Sequence, residues 1–181
     1  MAAIVSPVPA AAPWYPWLKA FVIALLACNT AVYGVSGTLN EALDSAAWLA
    51  LLASFEIQTG FSGRFSEGRA AAVLRGIRLA AAAAILAAAI GYVRGNDWLD
   101  AINLGLWVAV VILLEFNVRA EHARPWFMAI TFMLYAGLAV LVVAWAWRGE
   151  WFDAYDALLW LIAFFTIEIN VLKGHERRKL A

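Results

Sequence analysis

The sequence predicts an all-α integral membrane protein: six transmembrane helices in three tandem two-helix hairpins, related by a pseudo-threefold axis near the membrane normal. Three observations predict it. The 181 residues are 65% hydrophobic and only 14% charged, with a mean hydropathy of +0.79, whereas soluble domains average about 45 to 50% apolar. Apolar stretches recur six times along the chain. One motif recurs three times, once in the second half of each pair of stretches.

The stretches run approximately from Trp17 to Val35, Ala46 to Phe61, Leu79 to Val93, Leu104 to Val118, Phe127 to Trp147 and Ala157 to Leu172. Several are near or below the roughly 17 residues that span a bilayer, and polar flanks that stay helical extend them. A soluble bundle would need polar faces, and Ala80 to Ile90 and Ala157 to Ile167 have almost none. The expected division is a cytoplasmic segment 1–16, a six-helix domain 17–173 with repeats at about 17–62, 75–121 and 125–173, and a basic tail 174–181. Before Lys19 there is no Lys or Arg. The start therefore lacks the basic region of a secretory signal and is expected to be retained.

Basic residues set the orientation. Lys19, Arg64, Arg69, Arg75, Arg78, Arg119, Arg124, Lys173, Arg177, Arg178 and Lys179 fall on one side of a six-span arrangement, and Arg94 and Arg148 on the other. By the positive-inside rule both termini are cytoplasmic, in a multi-pass protein of the cell's inner membrane. The opposite loops, around Gly37, Gly95 and Gly149, are short and acidic, which predicts tight hairpins. Along the third stretch, Ala80 to Ala84 and Ala87 to Ala89 let backbones approach closely. The preceding segment, Ser66 to Arg78, is expected to start along the cytoplasmic interface and turn inward.

The repeated motif is an acid, Ala, an apolar residue and Asp or Asn, then Trp, then Glu, an apolar residue and an amide. Its copies are Glu41-Ala42-Leu43-Asp44 with Trp48 and Glu56-Ile57-Gln58; Asp100-Ala101-Ile102-Asn103 with Trp107 and Glu115-Phe116-Asn117; and Asp153-Ala154-Tyr155-Asp156 with Trp160 and Glu168-Ile169-Asn170. Trp and Glu are eight residues apart in every copy, so this is an internal threefold repeat. Each copy holds two spans, so all three share one orientation, which excludes the inverted-repeat plan.

On a helix the first acid, the Asp or Asn, the Trp and the Glu fall within an arc of about 120°. The first acid and the Glu are roughly 22 Å apart along the axis. The amide two residues on points about 200° from the Glu, so Glu and amide can meet only across a helix boundary.

Bland readings exist for each part. Acids in a first helical turn cap free amides, which would leave Asp44, Asp100 and Asp156 without a further role. A repeated Trp is commonly packing. Glu115 has Arg119 at i+4 and Glu168 has Lys173 at i+5, so local ion pairs could neutralise them, and hydrogen bonds to the next hairpin could lock the repeats together. Glu56 has its nearest downstream base eight residues away, at Arg64, and local pairing explains it least. An ionisable residue at membrane depth is nonetheless a functional candidate by default.

Glu56, Glu115 and Glu168, with Gln58, Asn117 and Asn170, are therefore the candidate cation or proton site. Converging carboxylates and amides make an oxygen-rich site for a hard cation, and like charges so close would share protons unless a cation neutralised them. The function expected is a small cation or proton transporter or channel. The alternative is a non-catalytic membrane subunit that presents its ten Trp residues to partner helices, a second copy of the chain, lipid or a lipophilic cofactor. An enzyme ranks third: there is no Ser/His/Asp, Cys/His, HExxH or phosphate-loop motif, and His122 and His175 lie outside the apolar stretches. Cys28 is the single cysteine, so no intrachain disulfide forms. Thirteen basic and thirteen acidic residues give no charge excess toward nucleic acid. The partners expected are the lipid bilayer and a cation or proton, and the sequence names no cofactor.

Overall fold

A computed structural model describes residues 15–60, 68–119 and 125–179; the side chains of 59–60, 117–119, 125 and 166–179 lie outside the described set. Within it the protein is six helices: α1 (Tyr15–Ser36), α2 (Leu39–Gly60), α3 (Gly68–Gly95), α4 (Trp98–Arg119), α5 (Pro125–Arg148) and α6 (Trp151–Lys179). Each helix packs on its neighbours in sequence, and α6 packs on α1. The bundle is thus a closed ring in chain order.

Among the described residues four helices are long and apolar enough to cross a membrane: Tyr15–Ser36, Gly68–Gly95, Trp98–Phe116 and Trp126–Arg148. α2 starts well before the apolar stretch at Ala46 and includes Glu41, Asp44 and Glu56, and α6 likewise includes Asp153 and Asp156. The acids keep α2 below the same standard of apolarity, and α6 is described side chain by side chain only as far as Phe165. At 28 residues, α3 is about 42 Å long, more than a hydrocarbon core of roughly 30 Å. It is unbroken from Gly68, so Arg69, Arg75 and Arg78 belong to the same helix as Leu79 to Val93, with no turn between them; Ser66 and Glu67 lie outside the described residues.

The three turns are two residues each: 37–38, 96–97 and 149–150. In the second and third they share one geometry. Asp97 N donates to Tyr92 O at 3.0 Å and Asn96 N to Val93 O at 3.4 Å, while Glu150 N donates to Trp145 O at 2.9 Å and Gly149 N to Ala146 O at 3.1 Å. This paired pattern ends a helix with a left-handed residue. Gly149 takes that role at φ 83° and Asn96 at φ 60°. The turn expected around Gly95 is therefore centred one residue on, because Asn tolerates the left-handed region. The first helical bond to each cap then recurs at four-residue spacing: Ala42 N donates to Thr38 O, Ala101 N to Asp97 O and Ala154 N to Glu150 O. Thr38 and Glu41 form a reciprocal capping box, Thr38 N donating to Glu41 Oε2 at 2.6 Å and Glu41 N to Thr38 Oγ1 at 3.3 Å.

The buried faces of α1, α3 and α5 fall at matching offsets. Leu26, Ile85 and Leu138 each lie seven residues before Tyr33, Tyr92 and Trp145, and are 1%, 5% and 1% exposed. From the alternating helices α2, α4 and α6, Trp48, Trp107 and Trp160 join them in the core. Large apolar residues on the outside, among them Trp17, Phe132, Met133 and Trp147, suit a lipid surface rather than water.

Candidate functional site

The motif's outer half converges. A cavity of about 50 Å³ opens at the hairpin end of the ring, with Glu41, Asp44, Asp100, Asn103, Asp153 and Asp156 on its walls, two from each of α2, α4 and α6. It holds several waters on the scale of about 10 to 15 Å³ per water centre. The aromatic lining is also divided evenly. Trp48, Trp107 and Trp160 come from the same three helices, and Tyr33, Tyr92 and Trp145 from α1, α3 and α5. Ser45, Ala157 and Phe164 also line it, and among the described residues no basic side chain takes part.

Helix phase explains why these residues meet. The acid, the Asp or Asn three residues on, and the Trp four further on lie on one face of each helix. Below the acids the Trp rings gather around Phe164: ring centroids are 4.6 Å from Trp107, 6.3 Å from Trp160 and 6.4 Å from Trp48. Trp48 and Trp160 also meet edge to face at 6.5 Å. These four rings form an apolar floor under a polar mouth.

Hydrogen bonds fix the carboxylates across the closure of the ring. Tyr33 Oη donates to Asp153 Oδ1 at 2.8 Å, and Asn29 Nδ2 donates to Asp156 Oδ1 at 2.8 Å, both from α1 to α6. The Trp160 indole lies beside Asp156, as the Trp48 indole and Tyr92 hydroxyl lie beside Asp44. Thr30 and Ser45 hydroxyls pair at 2.8 Å between α1 and α2. Two oxygens stand apart. Asp44 Oδ1 and Asn103 Oδ1 are sealed from solvent with no hydrogen-bond partner, a condition that costs about 1 to 3 kcal/mol per group.

Capping accounts for less than the sequence suggested. Thr38, Asp97 and Glu150 hold the cap positions, and Glu41, Asp100 and Asp153 the third residue of each helix. Asp44 and Asp156 lie three residues deeper, past the free first-turn amides. Their carboxyls face the cavity. The repeated Trp residues are indeed packed in the core, at 8%, 5% and 7% exposure, while also forming the cavity floor.

The inner candidates lie elsewhere. Glu56, half-buried on α2, pairs with Lys19 on α1. The base comes from the first helix of the same hairpin, which sequence spacing along α2 alone does not reveal. Gln58 accepts from Arg78 on α3, and the same guanidinium donates to Ser54 O at 3.2 Å. The Gln58 amide therefore does reach the following repeat. Glu115 is exposed on α4. The side chains of Asn117, Glu168 and Asn170 lie outside the described residues. Of the described candidates, Glu56, Gln58 and Glu115 do not line the hairpin-end cavity.

Sequence reasoning missed the aromatic members from the odd helices. Tyr33, Tyr92 and Trp145 stand eight residues before Glu41, Asp100 and Asp153, a spacing as regular as that from Trp to Glu. That regularity was the available signal. Among the described residues no group of three or more His, Cys, Asp or Glu side chains is close enough to hold one metal ion. Compared with protein-family models, curated proteins and solved structures, the chain matches none.

Proposed function

We propose that this is a six-span membrane protein of the inner membrane that binds a cation in the hairpin-end cavity and conducts it across the bilayer. The observation that carries the reading is a cavity walled by five carboxylates from three helices with no basic lining residue among those described. A cleft lined by one sign of charge focuses the field and raises the local concentration of counter-ions. A bound cation relieves the repulsion among the acids.

The reading extends along the axis. Trp48, Trp107, Trp160 and Phe164 act as an apolar constriction that opens and closes, in the manner of hydrophobic gates. Glu56, Glu115 and Glu168, with Gln58, Asn117 and Asn170, serve the far end of the path as a cation or proton relay. The three hairpins are copies of one unit about a pseudo-threefold axis through the cavity. Matching turns, caps and buried offsets support this.

Flux into proteoliposomes tests it. Wild-type protein is expected to dissipate a cation or proton gradient, Asp44→Asn with Asp156→Asn to lose that activity, and Phe164→Ala to raise it. Wild-type protein that moves no cation under any gradient would sink the transport reading and favour a non-catalytic membrane subunit.

A further inference from the structure

The cavity's chemistry narrows the class of cation. We propose that its ligand is an N–H-bearing cation, ammonium or a short primary alkylammonium, an assignment that rests on the cation-binding reading above.

The first observation is the pair of orphaned acceptors. Asp44 Oδ1 and Asn103 Oδ1 are sealed and unpartnered, and both residues line the cavity. They occupy the same motif position on α2 and α4. On α6 that position is Asp156, whose Oδ1 already accepts from Asn29. Two acceptors on one cavity call for a ligand with at least two donors, and a primary ammonium group carries three. A quaternary ammonium or an alkali ion has none.

The aromatic wall is the second observation. Trp48, Trp107, Trp145 and Trp160 surround the space together with Tyr33 and Tyr92. Ring faces attract organic and ammonium cations, Trp most strongly. They give nothing comparable to a divalent metal, which takes six or more oxygens at about 2.1 to 2.6 Å. Among the described residues the acids do not come together as metal ligands. Spread around rings and donors, they suit a polyatomic cation. At about 50 Å³ the cavity accommodates a group of a few heavy atoms.

The test uses the full chain in lipid nanodiscs, with intrinsic tryptophan fluorescence as the readout, because four of the rings line the cavity. Methylammonium, tetramethylammonium, potassium and calcium chlorides are titrated at constant ionic strength. Methylammonium is expected to give a saturable change, with tetramethylammonium weaker by about tenfold or more, the loss of charge-assisted hydrogen bonds. Asn103→Leu, which keeps every charge and removes one orphaned acceptor, is expected to weaken methylammonium about tenfold without lowering the melting temperature. Should that variant not fold, the wild-type ranking of the four cations decides alone. Equal binding of tetramethylammonium, or tighter binding of potassium or calcium, overturns the ligand class and leaves the cation-binding reading intact. Folded wild-type protein that binds none of the four overturns both.

Discussion

The Tyr33 hydroxyl on α1 donates a 2.8 Å hydrogen bond to Asp153 Oδ1 on α6, joining the first hairpin to the last. Tyr33 also packs edge to face on Phe152, with ring centroids 5.0 Å apart. The contact thus anchors the seam of the ring at the same level as the cavity. Tyr33→Phe keeps the ring contact and removes the donor. A hydrogen bond to a charged group contributes about 1.5 to 3 kcal/mol, so the variant is expected to melt at lower temperature with unchanged helix content by circular dichroism. A melting curve superposable on wild type would show that the seam does not depend on this bond.

Thr38→Ala separates folding from function. The Thr38 hydroxyl accepts from Glu41 N in the capping box, and its loss is expected to cost about 1 kcal/mol. Thr38 is not on the cavity wall, so fluorescence titration with a bound cation should be unchanged. A weakened cation response without a stability loss would mean that the cap positions Glu41 for binding, not for helix initiation.

Gly91 lies where α3 meets the start of α2. A Cβ there would come 2.2 Å from Asn40 Oδ1, so Gly91→Ala must push the Asn40 amide aside. The obstacle is the end of a side chain and not backbone, which keeps the expected loss near 1 kcal/mol, the low end for overpacking. Adding Asn40→Ala should recover most of it, a coupling that a double-mutant cycle in thermal denaturation reads directly.

Much of the fold was legible because membrane helices announce themselves by composition, and because Gly37, Gly95 and Gly149 mark the three short turns, although the left-handed residue of the second is Asn96. Motif phase also gave the stripe that faces inward. What composition could not give was which helices meet. Tyr33 and Asp153 are 120 residues apart, and a residue such as Asp44 reads equally well as a cap or as a cavity wall until its helix start is fixed at Leu39. The same ambiguity hid the partner of Glu56. Lys19 is 37 residues away in sequence, and only the packing of α1 on α2 brings them together.

The expected orientation follows from eleven of the thirteen basic residues lying on one side, with Arg94 and Arg148 at the hairpin end. Reporter fusions at Ala181 and in the turn at Asn96 are expected to report opposite sides, the terminus cytoplasmic. A C-terminal reporter found outside would reverse the path of any cation through the ring.

Glu56 gives the sharpest separation of an inner relay from a structural brace. Its pair with Lys19 is partly open, the side chains being 31% exposed for Lys19 and 17% for Glu56, and pairs of that kind contribute roughly 0 to 1 kcal/mol. Glu56→Gln keeps volume and hydrogen-bonding reach, so the melting temperature is expected to stay close to wild type while cation flux in liposomes is lost. Lys19→Met tests the same pair from the other side. If the lysine is only a counter-charge that a passing cation displaces, Lys19→Met should keep flux, and the double variant should be as inactive as Glu56→Gln alone. A large drop in stability for Glu56→Gln, together with full flux in the folded fraction, would assign the carboxylate to bracing α1 against α2 and remove it from the path.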